Sequence, residues 1–186
     1  MRKEVKFWTN SLDFGLITGV VLVAYSAVLF MTEQNAGALA YISYAFLIGG
    51  MVIGTLNLRN KGMGGYISYG RALGSCYVIS LIAAVLSIAF FCIYISYIDE
   101  GILDKMIMQA EENMRAKNNM SDEQIEIAMG YTKKFMQPAW MAVFGFLAYA
   151  FFGIILSLIT AAFLFKNNPN PFGDANNTAP IDQEIK

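Results

Sequence analysis

Charged and uncharged positions separate into blocks along this chain. Residues 14–32, 34–58, 72–98 and 135–165 contain no Asp, Glu, Lys or Arg, giving runs of 19, 25, 27 and 31 residues. About 20 apolar residues at 1.5 Å rise each cross a hydrocarbon core of roughly 30 Å, so each run suffices for one helix and none for two. A backbone in lipid must pair its own amides, which leaves helices or closed barrels, and the runs lack the alternation of barrel strands. The pattern predicts an all-α four-helix transmembrane bundle with spans near residues 12–31, 38–58, 72–98 and 138–165. The first run is too long for the core of a secretory signal and has Asp13 at its start. A leader cleaved near residues 38–40 is therefore the lesser reading.

Between the third and fourth runs the pattern changes. Ile102, Leu103, Met106, Ile107, Ala110 and Met114 recur at three- and four-residue spacing, with Asp104, Lys105, Glu111, Glu112 and Arg115 mostly opposite, which predicts an amphipathic helix. Asn118 and Asn119 interrupt it. Ser121-Asp122-Glu123-Gln124 then reads as a capping box opening a second helix. That helix carries Ile125, Ala128, Met129, Thr132 and Phe135 inward and closes on Lys133 and Lys134, and Pro138 suits the first turn of span four. Residues 99–137 thus form an amphipathic helical hairpin. Residues 1–172 make a single membrane domain, and residues 173–186 form an extended, mobile tail.

Basic residues give the direction. Arg2, Lys3 and Lys6 precede span one, Arg59, Lys61 and Arg71 lie between spans two and three, and Lys166 follows span four. The positive-inside rule puts both termini in the cytoplasm of a bacterial inner membrane and the balanced 99–137 loop in the periplasm. Composition agrees: 56% of residues are apolar and 15% charged, about ten points below the quarter usual in soluble domains. Mean hydropathy is +0.48. These values exclude a soluble globule, a disordered chain, a collagen-like repeat and a disulfide-stapled secreted domain.

Candidate chemistry is sparse. Histidine is absent, which removes imidazole acid–base catalysis, Ser-His-Asp triads and histidine metal sites. Cys76 and Cys92 stand 16 residues apart on one predicted helix, roughly 24 Å by helical rise, too far for a disulfide. No metal or cofactor is expected, and no nucleic-acid partner. The methionines near the hairpin (Met106, Met108, Met114, Met120, Met129 and Met136) suit apolar packing far better than Cu(I). Ser75, Ser80, Ser87 and Ser96, with Tyr94 and Tyr97, could line a path through span three, though local hydrogen bonding is the commoner role.

Three features offer contacts beyond the plain spans. Gly15 and Gly19, Gly50 and Gly54, and Gly70 and Gly74 stand four apart, the spacing that lets helices approach closely within a chain, in a homo-oligomer or against a partner helix. Asp13 is an acid at the bilayer edge, solvated in the first turn or paired, for instance with Arg71. The segment from Arg59 to Arg71 is basic, aromatic and rich in glycine. Arg59, Lys61 and Arg71 could gather a lipid phosphate there, and Gly62, Gly64 and Gly65 could turn amides toward it. Their spacing is not that of a nucleotide-binding loop.

The four spans, the Tyr66-Ile67-Ser68-Tyr69-Gly70-Arg71-Ala72-Leu73 entry to span three, the acidic helical insert and the Asn-Pro-Asn-Pro-Phe tail together resemble a family. It is a four-span membrane family of Bacteroidota known only as a domain of unknown function. The resemblance implies an inner-membrane location and points to polyprenyl-phosphate glycosyltransferases as candidate partners. It implies no reaction and no site residues. The sequence therefore reads as a non-catalytic interaction or accessory subunit working through helix packing and the hairpin, in contact with membrane lipid. The alternative is a small transporter or flippase-type accessory for lipid-phosphate intermediates, using the basic loop.

Overall fold

The structure, a computed structural model, describes residues 6–32, 38–98, 101–116 and 121–167. Arg2, Lys3, Asn118, Asn119, Met120 and the tail beyond Asn167 lie outside the described residues. Six α-helices follow in order: α1 (Phe7–Met31), α2 (Ile42–Asn57), α3 (Tyr69–Ile93), α4 (Ile102–Ala116), α5 (Asp122–Phe135) and α6 (Pro138–Leu164). A 3₁₀ turn, Ala38–Tyr41, leads into α2, and π-helical turns at Leu58–Gly62 and Tyr94–Ile98 extend α2 and α3. No β-strand occurs among the described residues, and four helices are long and apolar enough to cross a membrane.

Helix α1 begins at Phe7, five residues before the expected start. The reason is tertiary. Asn10 and Ser11 look like boundary residues, yet both are buried and bonded to neighbouring helices, and Phe7 packs against Leu58, Ile67 and Ala72. This places Asp13 nearly two turns inside the helix rather than one.

Helix α3 is central: α1 and α6 pack along it on different sides, and α2 rests on both α1 and α3. The middle of the core joins Leu22, Leu47, Met51, Cys76, Ile79 and Ala83. Lipid is as apolar as these side chains, so close van der Waals fit and interhelical hydrogen bonds hold the helices together rather than release of water. A second cluster, Leu58, Ile67, Ala72 and Ala161, closes the end where the 58–68 loop meets the start of α1 and the close of α6. We call this the basic end. A third, Tyr94, Ile95 and Ile102, joins α3 to α4 at the opposite, hairpin end.

The hairpin forms as its sequence requires. Ser121 Oγ accepts from the Gln124 amide at 3.3 Å while Gln124 Oε1 accepts from the Ser121 amide at 3.0 Å, a complete capping box. Arg115 donates to Glu111 on its own helix at 2.9 Å and to Asp122 in the first turn of α5 at 3.2 Å. These two carboxylates, Glu111 foremost, hold the Arg115 guanidinium above its usual pKa.

Candidate functional site

The basic loop is fastened to the end of α6. Ile67 and Lys166 exchange backbone hydrogen bonds of 2.9 Å in each direction, an isolated antiparallel bridge. Arg59 Nη1 donates to the Leu164 carbonyl at 3.2 Å, meeting one of the free acceptors at a helix C-terminus, where a cation also suits the dipole. The Tyr69 hydroxyl donates to the Leu158 carbonyl at 3.3 Å, and the Lys166 ammonium stands 5.4 Å from the Tyr66 ring centre. Gly64 and Gly65 have φ of 64° and 93°, left-handed values that glycine adopts without strain. The Gly65 amide donates to the Arg59 carbonyl at 2.8 Å. At least this amide serves the turn itself rather than an anion. Lys61 and Arg71 remain exposed, whereas Arg59 is half-buried against α6.

Asp13 is exposed and makes no ion pair among the described residues, so the suggested contact with Arg71 is not made. The paired glycines divide. A Cβ on Gly15 would meet Ile82, one on Gly19 would meet Leu86, one on Gly50 would meet Thr18, and one on Gly54 would meet Ile79 and Phe14. These four therefore lie against other helices of the same chain. At Gly70 a Cβ would find nothing within 4 Å, and at Gly74 only ordinary contact with Phe7. Gly153, unremarked in the sequence, is equally tight, its Cβ position lying 2.7 Å from Ser80 Oγ where α6 crosses α3. Ser157 follows four residues later and is fully buried. A search for small residues four apart, rather than glycines alone, would have found this pair.

Buried polar groups form a seam through the same half. Asn10 Nδ2 donates to the Gly54 carbonyl at 2.8 Å and accepts at Oδ1 from Asn57 Nδ2 at 2.6 Å. Ser11 and Ser75 hydroxyls lie 3.3 Å apart, and Thr55 Oγ1 lies 3.2 Å from Cys76 Sγ. The paired groups are amides, hydroxyls and one thiol, with no carboxylate or amine among them to act as a base, and the buried Ser157 hydroxyl has no partner among the described residues. No cluster of three or more His, Cys, Asp or Glu capable of holding a metal occurs among the described residues.

The hairpin end is different. No residue of α6 before Gly153 is buried. Here α1 and α6 flank α3 without extensive contact with one another, and a groove of about 430 Å³ opens between them. Phe30 and Ser26 of α1 form one wall, Ser87, Ile88, Phe90 and Phe91 of α3 the floor. Met141, Phe144, Gly145 and Tyr149 of α6 form the other wall, with Phe135 of α5 at the rim. The rings are mutually braced: Phe30 stacks on Tyr94 at 4.6 Å, and Phe135, Phe144 and Trp140 lie 5.8–6.1 Å apart. Ser87 Oγ sits near Tyr149 but in no well-formed hydrogen bond among the described residues. Nothing in the sequence marked this groove, because its aromatic residues look like ordinary lipid-facing side chains until α1, α3 and α6 are set side by side.

By helical rise along α3, Arg71 and Ser87 stand about 24 Å apart. The basic loop and the groove thus belong to opposite ends of the bundle.

The fold defines a four-span helical membrane protein with a helical insert before the last span. Within that class the chain belongs to a family of proteins of unknown function (DUF4199), which it matches over residues 13–166. No curated protein and no solved structure matches it.

Proposed function

We propose that the protein is a non-catalytic accessory protein of a bacterial inner membrane that holds a lipid hydrocarbon chain in the groove between α1, α3 and α6. The groove itself carries this reading: it is concave, aromatic and apolar, with a few hydroxyls, the usual make-up of a small-molecule site. A non-catalytic role is supported by the absence of histidine and by buried hydroxyls that pair with one another rather than with a base. With Gly15, Gly19, Gly50 and Gly54 turned into the chain's own packing, contact with a partner falls to the hairpin and the lipid-facing surfaces. The lysine and arginine distribution favours both termini in the cytoplasm and the hairpin in the periplasm.

Native mass spectrometry of protein released into a mild detergent tests the reading. One retained lipid per chain is expected, and Gly145→Leu, which extends a side chain into open groove space, should remove it. A chain that sheds all lipid as readily as the variant overturns the proposal.

A second reading rests on a separate observation: Lys61 in the loop and Arg71 in the first turn of α3 stay exposed on either side of a backbone bridge that pins the loop just beyond the end of α6. That arrangement suits a lipid-phosphate site at the basic end. Replacing both with Gln should then weaken binding of phosphate-bearing lipid, and unchanged binding removes this reading.

A further inference from the structure

Resting on the groove reading, we infer that the groove takes an anionic phospholipid of the leaflet at the hairpin end, with Lys133 and Lys134 at its mouth meeting the phosphate. Phe135, which rims the groove, is the last residue of α5, and the two residues before it are lysines. Both lysines are exposed, and neither makes an ion pair among the described residues. Cations in the last turn of a helix suit its dipole, yet here they also sit where the apolar lining ends. Trp140 packs against Phe135 and Phe144 at the same rim, as an indole does at the level of lipid headgroups.

Charge selects a phospholipid: two exposed lysines stand beside the end of an apolar lining, which suits an acyl chain and an anionic headgroup carried on one molecule. A hydrocarbon chain is narrow enough to lie within the groove, between α1 and α6. The basic loop cannot serve the same headgroup. It stands about 24 Å away, further than the half-thickness of the core to which a leaflet's lipid is confined.

The two tryptophans make this measurable. Trp8→Phe leaves Trp140 as the reporter beside the groove, and Trp140→Phe leaves Trp8, 65% exposed at the basic end, as a reporter of ordinary surrounding lipid. Each full-length variant is reconstituted in vesicles of phosphatidylcholine mixed with brominated phosphatidylglycerol or brominated phosphatidylcholine. Brominated phosphatidylglycerol should quench Trp140 at several-fold lower mole fraction than brominated phosphatidylcholine, with a smaller difference at Trp8. Lys133→Gln with Lys134→Gln should abolish that preference, each lysine alone accounting for part of it. Gly145→Leu should reduce quenching of Trp140 by both lipids while leaving the lysines in place. Equal quenching by the two lipids, still sensitive to Gly145→Leu, overturns the anionic inference and leaves the groove reading standing. Quenching insensitive to Gly145→Leu overturns both.

Discussion

The two ends of the bundle are built on opposite principles. From the basic end to the middle of the bundle, helices approach until a single methyl would collide, and amides and hydroxyls bond across the contacts. At the hairpin end, α1 and α6 flank α3 without closing on one another, aromatic rings brace one another, and a groove remains. The same helix takes part in both: the second half of α6 buries Gly153, Ser157, Thr160, Ala161 and Leu164, and the first half holds only half-buried and exposed residues. The difference follows from side-chain size. Small residues let backbones close on one another, whereas Phe135, Trp140, Phe144 and Tyr149 hold them apart. Rigidity and access are thus assigned to different ends of one fold.

Substitutions that attack the tight end should have the greatest effect. Gly50→Val would force a branched side chain into Thr18 and should cost about 3 kcal/mol, read as a shift in denaturation by SDS in mixed micelles. Asn10→Ala removes two interhelical bonds and leaves the Asn57 amide unpaired, for about 1–2 kcal/mol in the same assay. Gly64→Ala, at a φ of 64° with open space around it, should cost about 1 kcal/mol by backbone strain alone. At the open end, Gly145→Leu should shift stability by less than about 0.5 kcal/mol, because a Cβ there meets nothing. Arg115→Gln should have a similarly small effect on the bundle, since exposed ion pairs contribute little. If Gly145→Leu destabilises as strongly as Gly50→Val, the two ends do not differ as described.

Much of this was readable beforehand, for identifiable reasons. Lipid excludes charge, so the uncharged runs mark the four crossing helices, and Ser121 with Gln124 announces its helix because a capping box is local in sequence. Helix starts were less legible: Asn10 and Ser11 are polar, and only the carbonyl of Gly54 and the hydroxyl of Ser75, more than forty residues away, explain why they lie inside a helix. The glycine pairs split because four-residue spacing aligns small residues on a face without saying which neighbour that face meets. The groove was least legible of all. It is defined by the distance between α1 and α6, a quantity no single segment encodes.

The bridge between Ile67 and Lys166 also bears on how the protein is made. A ribosome delivers the loop between the second and third spans long before it delivers Lys166, so during synthesis that loop waits with its hydrogen-bonding groups open. It is sealed only when the fourth span has inserted and its far end has returned to the same side of the membrane. The pairing of the loop with Lys166 is therefore among the last contacts the growing chain can make within the described residues. A chain truncated before Lys166 should leave the 58–68 segment open to proteolysis, whereas the finished chain should resist.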